Sequence, residues 1–321
     1  MLLSSLATRV VGQHTTPDPE PISPVAEANV VDVAKIALGE ALFHDRSLSR
    51  GNVVACVSCH QLDQGGADQH ESPMGIDGRL LDFNSPTIFN AALNFRLNWR
   101  GNFRTLEEQN EAVLIDPRVM GTNWDELLTK LRADPNHVGA FVAVYGAPPE
   151  RTTVLDALAA FQRSLVTANA RFDRYLRGER SAITAEEERG YRLFKAYGCI
   201  ACHQGRNVGG NLFQQFGIFS DPFADKPRIT EADLGRFTVT RQVADLYVFR
   251  VPSLRNVAVT APYFHDGRTP SLPQAVEVMA RKQLGRELPQ QDVQSIVTFL
   301  RTLTGEYRGR SLKSDAEQTP P

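Results

Sequence analysis

The sequence predicts a mainly α chain built as two related domains, and three observations carry that prediction. First, its clearest apolar patterns have the helical period. "VLDALAAFQRSL" places Val154, Leu155, Leu158, Phe161 and Leu165 on one face, and "QQDVQSIVTFLRTLTG" does the same for Val293, Ile296, Val297, Leu300 and Leu303. Second, a helix-like segment with G-x-x-L-F leads into C-x-x-C-H twice. Gly39 and Leu42-Phe43 precede Cys56, Cys59 and His60; Gly190 and Leu193-Phe194 precede Cys199, Cys202 and His203. Third, 321 residues at 42% hydrophobic and 22% charged suit two ordinary globular cores.

Taken in order, "MLLSSLATRVVGQH" has a short apolar run with no positive segment before it, a poor secretory signal. "TTPDPEPISP" (Thr15 to Pro24) is too rich in proline for a helix interior and reads as extended chain, so 1–28 is expected to be a flexible leader. "VAKIALGEALFHD" puts Val33, Ile36, Ala37 and Leu42 at spacings compatible with one helical face. Ser85 to Arg104 should hold short helices and loops. "TAEEERGYRLFKAYG" opens with a capping box, Thr184 with Glu187, and Gly198 ends the helix before the second cysteine pair. Gln204 to Arg250 reads as a long irregular insertion, and Gly305 as the stop of the last helix. The expected division is 29–180 for the first domain, 181–308 for the second and a flexible tail over 309–321.

Composition excludes some functions. The net charge is −2 without a long single-sign run, which argues against nucleic acid as a partner. No apolar run reaches about 18 residues, so no membrane span is expected.

All four cysteines fall in the two C-x-x-C-H units, leaving none for an ordinary disulfide. Two thiols at this spacing match the two vinyl groups on one edge of a haem, and the following histidine then reaches the iron. One unit alone would equally allow half a zinc site or chance. Two copies, each entered from a similar helix, point to two c-type haems, with a four-cysteine zinc site as the alternative. A thioredoxin-like pair would need a βαβ context, which is absent. The sixth iron position is open to other groups. Among the methionines, Met279 in "AVEVMARKQLG" sits on an expected helix, where packing is the commoner role.

At this point the chain resembles the bacterial di-haem cytochrome c peroxidase family, which includes the enzyme that matures methylamine dehydrogenase. The motifs are "CVSCHQLDQGGAD", "FNSPTIFNAALN", "LEEQ", "FQRSLVTANARFDRYLRGE", "GCIACHQG", "FRVPSLRNVAVTAPYFHDG" and "MARKQLG…IVTFLRTLTGE", spread from about Leu38 to Glu306. The resemblance implies two cytochrome c-like domains, each carrying one c-type haem, with long irregular loops. It implies a peroxide-reducing haem on Cys56, Cys59 and His60, and an electron-entry haem on Cys199, Cys202 and His203. The family's methionine ligand follows the "PYFHDG" histidine by fourteen residues, which gives Met279. Trp99 matches the tryptophan between the haems, Gln109 the distal glutamine, and Asn84, Thr260 and Pro262 the ligands of a calcium ion. The implied donor is a small c-type cytochrome or cupredoxin, the substrate hydrogen peroxide and the compartment the periplasm. A homodimer is compatible with the family.

Two positions depart from the family. The histidine that blocks the peroxide haem in many members is Ile76 here, so an open site is expected unless His70 or Met74 substitutes. The distal glutamate, ten residues after the glutamine, is Val119. Proton delivery of that kind is worth about 10²–10⁴ in rate; Asp116 or Glu111 could supply it only by reaching into the pocket. The leading expectation is a peroxidase. The alternatives are a di-haem oxidase acting on a protein or organic substrate through high-valent iron, and a non-enzymatic di-haem electron carrier.

Overall fold

The structure is a computed structural model that describes residues 20–27 and 32–312. The N-terminal signal reading, His14, most of the expected leader and 313–321 of the expected tail lie outside these residues.

Two helix pairs form the two cores. In the first, α1 (Val33–His44) crosses α5 (Arg151–Ser164), flanked by α2 (Leu106–Ile115), α3 (Trp124–Ala133) and α4 (Pro135–Tyr145). In the second, α7 (Ala185–Ala196) crosses α10 (Gln290–Arg301), with α6 (Arg171–Leu176) and α9 (Leu272–Leu284) around them, while the short α8 (Phe237–Thr240) lies in the irregular 204–250 stretch. The G-x-x-L-F repeat explains both crossings. A Cβ on Gly39 would lie 1.9 Å from the Ala157 carbonyl oxygen, and one on Gly190 1.9 Å from that of Ser295. Only glycine lets the backbones approach so closely. Four residues on in each helix, Phe43 packs against Phe161 at 5.2 Å, and Phe194 against Phe299 at 5.2 Å.

That approach also corrects the expected face of α1. Val33 and Ala37 are exposed and Ile36 is half-buried; the buried stripe is Leu38, Gly39, Leu42 and Phe43. The glycine sets which side meets α5, so the stripe is rotated from the simple apolar count. The stripes of α5 and α10 are buried as expected, from Val154 to Leu165 and from Val293 to Leu303. The capping box on α7 is present, with the Glu187 N–H donating to Thr184 Oγ1 and the Thr184 N–H to Glu187 Oε2. The last helix stops at Arg301, before Gly305, whose N–H instead donates to Asn256 Oδ1.

The first and last described segments each pack on the core formed by the other half of the chain. Ile22 is buried in the second core, and the Gly205 N–H donates to the Pro21 carbonyl. Leu312 packs into the first core, and Arg308 pairs with Glu40. Phe172 and Tyr175 of α6 also join the second core. Beneath this side, Arg255 and Asp173 form a buried ion pair at 2.7 Å. The insertion carries β1 (Phe213–Gln215), antiparallel to β2 (Val248–Arg250), pairing Phe213 with Arg250.

Candidate functional site

Each C-x-x-C-H is wound as one 3₁₀ turn, Cys56–Ser58 and Cys199–Ala201. The histidine N–H closes it on the first cysteine: His60 to the Cys56 carbonyl at 3.1 Å, and His203 to the Cys199 carbonyl at 3.0 Å. This brings two thiols and an imidazole to one cavity wall. The outer ring nitrogens are also matched. His60 Nδ1 lies 3.2 Å from the Gly66 carbonyl and His203 Nδ1 3.3 Å from the Val208 carbonyl. A proton on Nδ1 leaves each Nε2 to bind a metal. Burial pushes both imidazoles down, His203 to about 4, so each stays neutral and ready to ligate.

The residues fit covalently attached haem better than zinc. The four thiols are divided between two cavities, and no cluster of metal-ligand groups among the described residues includes a cysteine. Burial pushes Cys56 up to about 12, and Cys59 and Cys199 to about 11, so these thiols are protonated at neutral pH. The cradle is built for close contact as well. Gly209 has φ +126°, and a Cβ there would meet the Pro252 carbonyl at 2.2 Å and His203 Nδ1 at 3.2 Å. The one compact cluster among the described residues, Asp233 with His265 and Asp266, already holds a cation, the Lys226 ammonium at 2.5 Å from Asp233 and 2.6 Å from Asp266.

The two cavities differ in what faces the histidine's wall. The second, about 350 Å³, is lined by Cys199, Cys202, His203 and Met279, with Met279 half-buried on α9. The same cavity takes in Trp99, Asn84, Thr260 and Pro262. Trp99 Nε1 donates to the Asn84 carbonyl at 2.9 Å, and Asn84 Nδ2 donates to the His70 carbonyl at 2.9 Å.

The first cavity, about 110 Å³, is narrower, and its lining must give way to admit a macrocycle. It brings together Cys56, Cys59, His60, Gln109 and Val119. Gln109 is held by a hydrogen bond from its Nε2 to Asn98 Oδ1 at 2.9 Å. Val119, Val113 and Leu81 make the wall apolar. Among the described residues, no carboxylate lines it. Glu111 is taken by Arg151 and by Trp124 Nε1, and Asp116 accepts from the Arg118 N–H. Ile76 does not line the cavity; its N–H is tied to the Arg118 carbonyl at 2.9 Å. Of the two substitutes, Met74 lines the cavity while 57% exposed, and His70 stays outside.

Sequence reading missed Pro86, Thr87, Asn94 and Arg250, which line both cavities. A signal for two of them existed. "SPTIFNAA" and "VPSLRNVA" are a second internal repeat, placing Pro86 beside His60 and Pro252 beside His203. Its asparagines play matching parts. The Asn90 N–H donates to the Leu165 carbonyl and the Asn256 N–H to the Leu303 carbonyl.

Comparison with known proteins finds relatives over most of the chain. A family model described as di-haem cytochrome c peroxidase matches residues 33–181. The cytochrome c peroxidase Ccp of Escherichia coli is 41% identical over 289 residues, 90% of this chain and 62% of that protein, so the chain spans less than two thirds of it. The cytochrome c551 peroxidase of Pseudomonas aeruginosa is 38% identical over 84% of this chain and 78% of its own length. Among solved structures, a MauG-like protein associated with microbial copper homeostasis superposes with a TM-score of 0.77 at 27% identity, covering 91% of this chain and 95% of its own.

Proposed function

The chain belongs to the di-haem cytochrome c peroxidase family, and we propose that it reduces hydrogen peroxide to water in the cavity over His60. The electrons come one at a time from a small c-type cytochrome or cupredoxin through the site over His203. The carrying observation is the asymmetry between cavities: an amide and an apolar wall oppose the first C-x-x-C-H, while a thioether shares the cavity of the second. Two c-type haems are the cofactors, and their iron supplies the electron transfer to the peroxide O–O bond.

The residues divide the remaining work. His60 and His203 would hold the irons through Nε2, and the four cysteines would anchor the macrocycles. Met279 would offer its thioether to the second iron, which favours the ferrous state and suits electron storage. Trp99, fixed by its hydrogen bond to Asn84, stands as relay between the sites. Gln109, fixed by Asn98, donates or accepts a hydrogen bond to one peroxide oxygen. Consumption of two protons and two electrons per peroxide yields two waters. Among the described residues no carboxylate or second histidine lines the first cavity, so the protons reach the oxygens through water. The rate therefore forgoes the factor of about 10²–10⁴ that a positioned acid supplies. Asn84 Oδ1 with the Thr260 and Pro262 carbonyls forms an oxygen set for one calcium ion. Because bacterial haem-c attachment takes place outside the cytoplasm, the compartment is the periplasm; no helix among the described residues is long and apolar enough to cross a membrane. Each helix pair gives one C-x-x-C-H unit its own core.

The test is steady-state peroxide turnover with a reduced small cytochrome, comparing wild type with Val119→Glu. A gain of at least about tenfold is expected. No turnover in either protein would sink the peroxidase reading. The absence of a carboxylate also favours one second reading, an oxidase acting on a protein or organic substrate, in keeping with the MauG-like structural relative. That reading requires slow peroxide consumption coupled to oxidation of an added substrate, with no gain in Val119→Glu.

A further inference from the structure

Arg250 is the one buried cation among the described residues with no counter-ion. It is 4% exposed. Other buried charges have partners of opposite sign: Arg255 with Asp173, Lys226 with Asp233, and Glu187 with Arg171. Arg250 has only neutral partners. Its Nε donates to the Asn98 carbonyl at 3.2 Å and its Nη1 to the Val251 carbonyl at 3.2 Å. A guanidinium carries five N–H donors in a fork that matches a carboxylate, and most of this fork is unused. A desolvated charge left in this state is costly, and burial alone pushes its pKa down to about 10.

Its position names the missing anion. Arg250 closes β2 and is a lining residue of both cavities. The cysteines fix the vinyl edge of each macrocycle, and the propionate carboxylates leave from the opposite edge. The backbone N–H of Arg250 donates to the Trp99 carbonyl at 2.9 Å, so the guanidinium is tied to the segment proposed as relay. We propose that Arg250 is a shared clamp that binds a propionate carboxylate from each of the two haems. This rests on the two-haem reading. The clamp supplies the counter-charge the guanidinium lacks and fixes the two propionate edges to one side chain. Its positive charge also favours the ferrous state at both irons, since reduction adds negative charge beside it.

Potentiometric titration of the holoprotein, followed by visible absorbance, tests this with Arg250→Met and Arg250→Lys. Pyridine haemochrome analysis first establishes two haems per chain. Arg250→Met should lower both midpoints, each by a shift equal to about a tenfold change in the ferrous-to-ferric ratio at fixed potential, ~59 mV for one electron. Arg250→Lys, which keeps the charge, should move them by less than half as much. Two haems with neither midpoint moved, or with only one moved, overturns the shared clamp. A merely structural arginine would lower the melting temperature without moving both potentials together. If Arg250→Met does not load haem, a crystal structure of the wild-type holoprotein decides. A guanidinium within hydrogen-bond distance of a propionate oxygen from each haem supports the clamp, and one engaged with a free anion or with a single haem overturns it. A wild-type chain with no Soret band would overturn the haem reading and this inference together.

Discussion

Replacing Gly39 or Gly190 with alanine should destabilise the protein, although alanine is the better helix former. The structure sets the size of the effect. The added methyl would lie 1.9 Å from a backbone carbonyl oxygen in either case, Ala157 or Ser295. A tolerable C···O contact is about 3.3 Å, so the helices must part by about 1.4 Å at their crossing. A backbone oxygen cannot swing aside as a side-chain tip can. Overpacking of this kind costs about 1–3 kcal/mol, and a shift of two whole helices belongs at the upper end. Alanine returns about 1 kcal/mol of helix propensity. The net is about 2 kcal/mol, or a melting temperature lower by about 4–8 °C for a domain of this size. Gly139 is the control, because a Cβ there meets nothing within 4 Å in α4. Gly139→Ala should raise the melting temperature by about 2–4 °C. The assay is thermal unfolding of the holoprotein by far-ultraviolet circular dichroism. If Gly39→Ala and Gly190→Ala melt higher, as Gly139→Ala should, the close-approach argument is refuted.

Two other tests follow from the same structure. Asp173→Asn leaves the Arg255 guanidinium buried without its 2.7 Å partner and should cost about 3–5 kcal/mol in denaturant unfolding; a loss below about 1 kcal/mol would mean the pair adds little. Elemental analysis before and after dialysis against a calcium chelator should find about one calcium per chain and then none, and no calcium in protein prepared in excess calcium would remove the oxygen set around Asn84 from the site.

The sequence by itself determined the chemistry that local spacing fixes. Two C-x-x-C-H units need only a 3₁₀ turn and one backbone hydrogen bond to bring thiols and imidazole together, and both lie within five residues of chain. Amphipathic stripes on α5 and α10 were legible for the same reason, since a helical face is a matter of period. The residues of G-x-x-L-F were visible too, but their purpose was not. Whether Gly39 is a weak point in a helix or the seat of a crossing depends on Ala157, which is far away in sequence, and that contact also rotated the buried face of α1 away from Val33. Tertiary structure alone decided that Ile22 packs in the second core and Leu312 in the first, because neither segment has a periodic pattern to announce a partner. It also decided the character of the first cavity. Val119 was readable as a missing acid, but only folding shows that Glu111 and Asp116 are engaged elsewhere and leave the wall without a carboxylate. Arg250 was one arginine among many in an irregular stretch. Its isolation from every counter-ion is a property of the space around it, and a linear sequence carries no measure of that space.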